Sequence, residues 1–178
     1  MKSLITTVPK CWALDTTHPS DPWKPCPPMT RPRLYPPTTV LDGKIYVLGG
    51  FNQYFPPSEI GWMEVFDPSL GTWEALPNPP SDNHNHIDRH SMISFAVLET
   101  RKEIFVTTKY PNFRNIIFYI YNVTNRSWRK LIPSMQLPKV DHSRVVGVGS
   151  TIYWVRLYRE SYLFNDVFVN KDEAGVLA

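Results

Sequence analysis

Short runs of apolar residues, separated by prolines and turn residues, recur along the whole chain. Examples are KIYVL (44–48), ISFAVL (93–98) and IIFYIY (116–121). Continuously apolar runs of this length are typical of strands that are buried on both faces. The 18 prolines among 178 residues are roughly twice the usual ~5%, and proline in sheets is confined to turns and edges. The pattern predicts an all-β protein built from many short strands.

The apolar runs belong to a unit that repeats. The segment EVFDPSLGTW, which ends at Trp73, aligns with YIYNVTNRSW, which ends at Trp128, and a looser copy, CWALDTTHPSDPW, ends at Trp23. Each copy is an apolar strand, a turn opened by Asp or Asn, and a short strand carrying Trp. Asp and Asn suit the turn because their side chains can bond nearby backbone amides. The three Trp residues are therefore expected at equivalent positions.

A second recurring piece lies upstream of the Trp strands. KIYVLGG (44–50) aligns with EIFVTTK (103–109) and TIYWVRL (151–157), and each is preceded by another apolar stretch. A full unit thus predicts four strands in about 50 residues, a period typical of propeller blades. Trp73 and Trp128 are expected to be buried core anchors on outer strands, because large aromatic side chains fill the space between packed sheets. Trp154 is expected in the core as well.

The glycine pair Gly49–Gly50 at the end of an apolar run has two interpretations. It could cradle a phosphate, but the patterns GxxxxGK[ST] and GxGxxG are absent, and no helix is predicted to follow. It could instead allow positive φ and close backbone approach inside a repeated sheet. The second interpretation fits the repeat. The later units carry Thr108–Lys109 and Arg156–Leu157 in place of the pair, so these units must turn differently.

With the glycine pair, the aromatic residue before it and the Trp after the turn, the chain resembles the kelch repeat. The segment EVFDPSLGTWEALPNPP (64–80) is most similar to plant proteins of the F-box/kelch group. The resemblance implies a partial kelch-type β-propeller of about 3.5 four-stranded blades. We expect one propeller segment, with a partial blade at 1–30, blades at 31–80 and 81–138, and a partial blade at 139–178. A fragment, a truncated product and a ring completed by a partner are all consistent with this count.

Charge and composition exclude several classes of function. The net charge is +3 with no run of five basic residues, so nucleic acid is not an expected partner. The apolar runs are far shorter than the roughly 20 residues of a membrane helix, and the first residues lack the apolar core of a signal peptide. No membrane association is expected, and localisation is expected to be cytoplasmic, nuclear or both. Cys11 and Cys26 form no CxxC pair and lie in proline-rich segments expected to be turns.

The segment SDNHNHIDRH (81–90) is the one candidate for metal chemistry. Its three imidazoles and two carboxylates could ligate a transition metal; they belong to His84, His86, His90, Asp82 and Asp88. Its Asn and Asp content favours a polar loop between blades, so no metal and no cofactor are expected. The pattern GxSxG is absent and neither cysteine has an evident histidine partner, so no catalytic residue is assigned and the chain is not expected to be an enzyme.

By the same resemblance, kelch domains bind partners through the loops between second and third strands and the loops between blades. Interface hot spots use exposed aromatic residues and arginine. The candidate partner-binding residues in these loops are Arg33, Asn52, Gln53, Tyr54, Phe55, His84, His86, Arg89, Asn112, Phe113, Arg114 and Arg144.

The resemblance implies substrate recognition for a Skp–cullin–F-box ubiquitin ligase, with a protein substrate as partner and a Skp-type adaptor bound through an F-box outside this chain. The alternatives are a metal-dependent plant kelch enzyme or specifier protein, and a kelch scaffold with no link to a ligase.

Overall fold

The computed structural model describes residues 11–33, 35–50, 61–80, 92–109, 116–131, 143–156 and 167–170. Within these ranges the regular elements are thirteen β-strands and one 3-10 turn, Glu99–Arg101. The strands fall into two compact units, Met1–Leu76 and Pro77–Ala178. The prediction of an all-β protein is confirmed.

The strands are short and each lies in an antiparallel sheet with its neighbours in sequence. They are β1 (Cys11–Ala13), β2 (Lys24–Cys26), β3 (Thr38–Leu41), β4 (Lys44–Leu48), β5 (Met63–Asp67), β6 (Thr72–Ala75), β7 (Met92–Leu98), β8 (Glu103–Lys109), β9 (Ile116–Asn122), β10 (Ser127–Leu131), β11 (Ser143–Val148), β12 (Thr151–Arg156) and β13 (Val167–Asn170).

The first unit contains a two-stranded sheet, β1–β2, and a four-stranded sheet with the strand order β3-β4-β5-β6. The two central strands of the larger sheet are buried almost throughout, as their apolar sequence predicts; Leu48 and Met63 are fully enclosed. β3 and β4 are joined by Asp42 and Gly43, both at positive φ (51° and 71°). A two-residue turn of this kind matches the twist of paired strands.

The second unit contains a four-stranded sheet, β7-β8-β9-β10, and a three-stranded sheet, β11-β12-β13. Its core joins Phe105 and Phe118 to Val145 on β11, with Trp154 packed against it. Trp154 meets Phe118 edge to face at 5.8 Å between ring centroids. Trp154 is only half-buried, although the sequence placed it in the core. Two four-stranded sheets beside smaller ones are the architecture expected of a partial kelch propeller.

The strand registers confirm the alignment of the two complete units. In the first sheet Phe66 on β5 lies between Ile45 on β4 and Trp73 on β6. In the second sheet Tyr121 takes that place, opposite Ile104 on β8 and Trp128 on β10. Residues that align in sequence therefore occupy matching positions in their sheets.

The same side-chain turn recurs three times. Asp67 Oδ1 accepts bonds from the backbone N–H (2.9 Å) and the hydroxyl (2.6 Å) of Ser69. Asp15 does the same with Thr17, at 2.9 and 2.6 Å. Asn122 Oδ1 accepts from the N–H of Thr124 at 3.0 Å. The looser first copy, which ends at Trp23, therefore has the same turn as the other two copies.

Trp73 and Trp128 lie on the outer strands, as predicted, but both are half-buried rather than buried. Each indole makes the same polar contact at the edge of its sheet. Trp73 Nε1 donates to the carbonyl of Pro27 at 2.8 Å, and Trp128 Nε1 donates to the carbonyl of Pro77 at 2.7 Å. In each case the accepting proline lies four residues after the Trp of the preceding repeat.

Candidate functional site

One end of the β3–β6 sheet carries the β4–β5 connection and the segment before β3. Both contain residues that were predicted to bind partners. Successive connections in an antiparallel sheet alternate between its two ends. The connection from β4 to β5 therefore leaves from the end opposite the β3–β4 and β5–β6 turns. It leaves at Gly49–Gly50 and returns at Gly61–Trp62, and the residues that precede β3 lie at this same end.

Arg33 holds both sides of this connection together. Its Nη1 donates to the carbonyls of Gly49 (2.6 Å) and Trp62 (3.2 Å), and its Nη2 donates to the carbonyl of Gly61 (2.8 Å). Nε and Nη2 also donate to Glu64 Oε1, at 3.0 and 2.7 Å. These five contacts match the five N–H donors of a guanidinium group. We call these residues, with Thr30, the Arg33 network.

Glu64, the second residue of β5, completes the network. Its second oxygen, Oε2, accepts bonds from the backbone N–H (2.8 Å) and the hydroxyl (2.6 Å) of Thr30. The side chains of Arg33 and Glu64 are both fully enclosed. A buried carboxylate is tolerated when it is paired and hydrogen-bonded, and here both oxygens have donors.

Burial also changes the ionisation of the arginine. Desolvation lowers the pKa of Arg33 below its ordinary value, while the hydrogen bonds and the charge of Glu64 act in the opposite direction. An arginine stays protonated at neutral pH even when its pKa falls. The pair is therefore a structural ion pair, and proton exchange is not its chemistry.

The glycine pair has the backbone role that was predicted. Gly49 and Gly50 have φ values of 55° and 69°, where a Cβ is disfavoured. The N–H of Gly49 donates to the carbonyl of Trp62 at 2.9 Å, and its own carbonyl accepts from Arg33. The pair thus ends β4 and presents backbone to the Arg33 network. In the second unit, Thr107 and Thr108 align with Leu48 and Gly49, and β8 continues to Lys109.

Among the described residues of the second sheet, no carboxylate takes the place of Glu64. Val47 on β4 faces Glu64, whereas Val106, the matching residue of β8, faces Tyr119. Tyr119 is buried and meets Trp128 edge to face at 6.2 Å. An aromatic contact thus occupies the position that the carboxylate holds in the first sheet.

Most of the predicted partner-binding residues lie outside the described part of the chain. These are Asn52, Gln53, Tyr54, Phe55, His84, His86, Arg89, Asn112, Phe113 and Arg114. Arg144 lies in β11, and only the backbone of this residue is described. Arg33 is described, and its side chain is enclosed at the base of the β4–β5 connection rather than displayed to solvent. Arg33 therefore positions the backbone at both ends of this connection.

Sequence analysis missed Glu64 and Thr30, which complete the network. The signal for Glu64 was a single carboxylate inside the apolar strand MEVF, because an isolated charge on a buried strand requires a partner. Thr30 carried no such signal, since its role depends on where the segment before β3 lies.

The described residues show neither a metal site nor a membrane-spanning helix. The described ranges contain no group of three His, Cys, Asp or Glu side chains placed to hold a metal ion. In the same part of the chain, no helix has the length and apolar character needed to cross a membrane.

Comparison with known families agrees with the geometry of the first unit. The Kelch motif matches residues 32–80, a range that includes Arg33, the glycine pair, all four strands β3–β6 and Trp73. The first unit of the chain therefore contains a kelch motif. The match covers the sheet in which the Arg33 network lies.

Curated proteins that are similar to this chain come from Arabidopsis thaliana. One F-box/kelch-repeat protein is 46% identical over 54 residues, which are 30% of this chain and 16% of the relative. Another is 29% identical over 153 residues, covering 69% of this chain and 40% of the relative. A kelch repeat-containing protein is 49% identical over 53 residues, 30% of this chain and 12% of the relative. The chain thus spans well under half the length of these relatives.

Proposed function

We propose that this chain is a non-catalytic protein-interaction module of kelch repeats that recognises substrates for a Skp–cullin–F-box ubiquitin ligase. The observation that carries the proposal is the Arg33 network, which fixes both ends of the connection containing Tyr54 and Phe55. The ligase link is supported by the relatives named F-box/kelch-repeat proteins. In this role the protein acts in the cytoplasm, the nucleus or both.

Fixed loop ends favour binding because less conformational freedom is lost when a partner docks. The carbonyls of Gly49, Gly61 and Trp62 are held by one buried guanidinium, so the stems of residues 51–60 are set by the sheet. Recognition elements placed on rigid supports are more specific than freely moving ones. The aromatic residues in the loop are then the contacts that bind the substrate.

The experiment is affinity capture from plant cells in which the proteasome is inhibited, followed by mass spectrometry. Two loop variants, Tyr54→Ala/Phe55→Ala and Phe113→Ala/Arg114→Ala, are compared with the unaltered chain. Leu70→Ala is the matched control, because Leu70 is exposed in the β5–β6 turn at the opposite end of the sheet. Proteins lost with the loop variants and kept with the control are the expected substrates.

The ligase role requires a further result. A captured substrate should be ubiquitylated when the corresponding full-length product is combined with a Skp-type adaptor and a cullin complex. Capture that the loop variants leave unchanged would contradict the interaction surface. Loop-dependent capture without ubiquitylation would favour a kelch scaffold. Near-stoichiometric iron in the purified chain, lost in His84→Ala/His86→Ala, would favour the metal-dependent alternative.

A further inference from the structure

The two cysteines, which sequence analysis placed in proline-rich turns, lie in strands and face each other. β1 and β2 are antiparallel, and the register pairs Cys11 with Cys26, Trp12 with Pro25 and Ala13 with Lys24. Both cysteines are free thiols and half-buried. They are 15 positions apart in the sequence, so the pairing could not be read from their spacing.

The hydrogen-bond pattern of the sheet fixes which kind of pair the cysteines form. Pro25 has no N–H, so Trp12 and Pro25 must be a non-hydrogen-bonded pair. Pair types alternate along an antiparallel ladder, which makes Cys11 and Cys26 a hydrogen-bonded pair with Cα atoms about 5.5 Å apart. Disulfides have Cα separations of about 4.4–6.8 Å, most often near 5.5–6 Å. The backbone therefore already has a disulfide-compatible spacing.

The register also places the two side chains together. Directly opposite residues of paired strands point to the same face of the sheet, so Cys11 and Cys26 share a face. Consistent with this placement, burial and then the neighbouring Cys26 side chain raise the pKa of Cys11 above its ordinary value.

We propose that Cys11 and Cys26 form a reversible disulfide that cross-links β1 to β2 in the folded protein. With glutathione disulfide as the oxidant, one cysteine thiolate attacks a glutathione sulfur and releases one glutathione thiolate. The second cysteine, as thiolate, then attacks the protein sulfur of this mixed disulfide and releases the other. Two protein thiols are oxidised, one glutathione disulfide is reduced to two thiols, and excess glutathione reverses the exchange.

The cross-link acts on the contact between the small sheet and its larger neighbour in the first unit. Pro27, whose carbonyl accepts the Trp73 indole bond, immediately follows Cys26. β1 and β2 have three residues each, so few backbone bonds hold them together. Joining the strands covalently would fix the acceptor for Trp73 and the segment between the cysteines.

The test equilibrates the full chain with glutathione redox buffers, once under native conditions and once in concentrated urea. Acid quenching, alkylation and mass spectrometry then count the thiols. The chain contains two cysteines, so any internal disulfide is this one, and it lowers the mass by about 2 Da. Cys11→Ser and Cys26→Ser are the controls that cannot form it.

The expected result is an effective thiol concentration roughly tenfold or more higher in the folded chain than in urea, since folding holds the cysteines together. The oxidised chain should then unfold at a higher urea concentration than the reduced chain, and glutathione should reverse this shift. An effective concentration in the folded chain equal to or below that in urea would overturn the proposal. So would a native product dominated by two mixed disulfides with glutathione or by disulfide-linked dimers.

Discussion

At the scale of single residues, the ion pair between Arg33 and Glu64 is surrounded by further hydrogen bonds. Taking both charges out of water is costly, and their attraction offsets this only because further hydrogen bonds satisfy the remaining atoms. Thr30 and three backbone carbonyls supply those bonds. Each member of the pair therefore depends on the other.

Removing one partner should destabilise the protein more than removing both. Arg33→Met leaves Glu64 buried without its counter-charge, and Glu64→Leu leaves the guanidinium in the same condition, so each should lower the free energy of unfolding by about 3–5 kcal/mol. The double variant should recover much of this loss. Urea titrations of the four proteins measure the coupling; losses that simply add would contradict the interdependence.

A second residue-scale prediction concerns acid. The hydrogen bonds from Lys44 (2.8 Å) and Ser69 hold the pKa of Asp67 well below its ordinary value. A carboxylate with a lowered folded-state pKa stabilises the fold above its unfolded pKa of about 3.9. That contribution disappears as pH falls through the lower, folded value.

Asp67→Asn should therefore lower the urea midpoint at pH 7 and have a smaller effect at pH 3. Glu74, exposed on β6, provides the control substitution Glu74→Gln. A difference between Asp67→Asn and the unaltered chain that is the same at both pH values would show that the Asp67 charge is not responsible.

At the scale of elements, the repeated indole-to-carbonyl bond distinguishes three Trp residues with the same place in the repeat. Trp73 and Trp128 donate to proline carbonyls. Trp23 is 60% exposed, and within the described ranges it has no hydrogen-bond partner. Trp73 and Trp128 lie in the outer strands β6 and β10, whereas Trp23 immediately precedes β2. Matching positions in the repeat therefore do not ensure matching contacts for the indole.

Replacing these residues with phenylalanine should separate the two cases. Trp73→Phe and Trp128→Phe keep an aromatic ring but lose the bond, so each should lower the free energy of unfolding by about 0.5–1.5 kcal/mol. Trp23→Phe should change it by less than about 0.5 kcal/mol. Chemical denaturation measures all three, and equal losses would exclude the indole bond as the cause.

The close approach of β11 to β7 gives another element-scale prediction. A Cβ on Gly147 would overlap the carbonyl oxygen of Val97, and a backbone oxygen in a strand cannot easily move aside. Gly147→Ala should therefore lower the free energy of unfolding by about 1–3 kcal/mol. Gly149→Asn is the control, because that position is open and asparagine tolerates its φ of 62°. Thermal unfolding showing the larger loss at Gly149 would contradict this account.

At the scale of the whole molecule, the described sheets have two, four, four and three strands. Exposed aromatic residues lie in and beside the smallest sheet, where Trp12 and Trp23 are 53% and 60% exposed. Strand edges and exposed apolar surface promote association between chains. The isolated chain is therefore expected to self-associate.

Light scattering over a range of protein concentrations measures this association. Trp12→Ser/Trp23→Ser should reduce it, whereas Leu70→Ala, which removes an exposed apolar residue from a turn, should not. A cooperatively folded monomer at tens of micromolar (a range typical of such measurements) would mean that the edges are covered within one chain.

The sequence was enough to predict features that depend on local order. Strand identity, the Asx turns at Asp67 and Asn122, the positive φ at Gly49–Gly50 and the alignment of the two complete sheets follow from apolar runs and turn chemistry. The repeat predicted the strand registers, because residues that align between the two units have equivalent cross-strand partners. These interactions join residues within a few positions or within one repeat.

Only the tertiary structure decided which distant residues meet. Glu64 was visible as a charge on a buried strand, but its partner, Arg33, is 31 residues away and was placed instead on a binding surface. Cys11 and Cys26 are neighbours because β1 pairs with β2, although sequence analysis had placed both cysteines in turns. The indole bond of Trp73 depends on the carbonyl of Pro27, 46 residues earlier. Local propensity carries no information about such contacts, because they arise when separate segments pack and satisfy each other's buried polar groups.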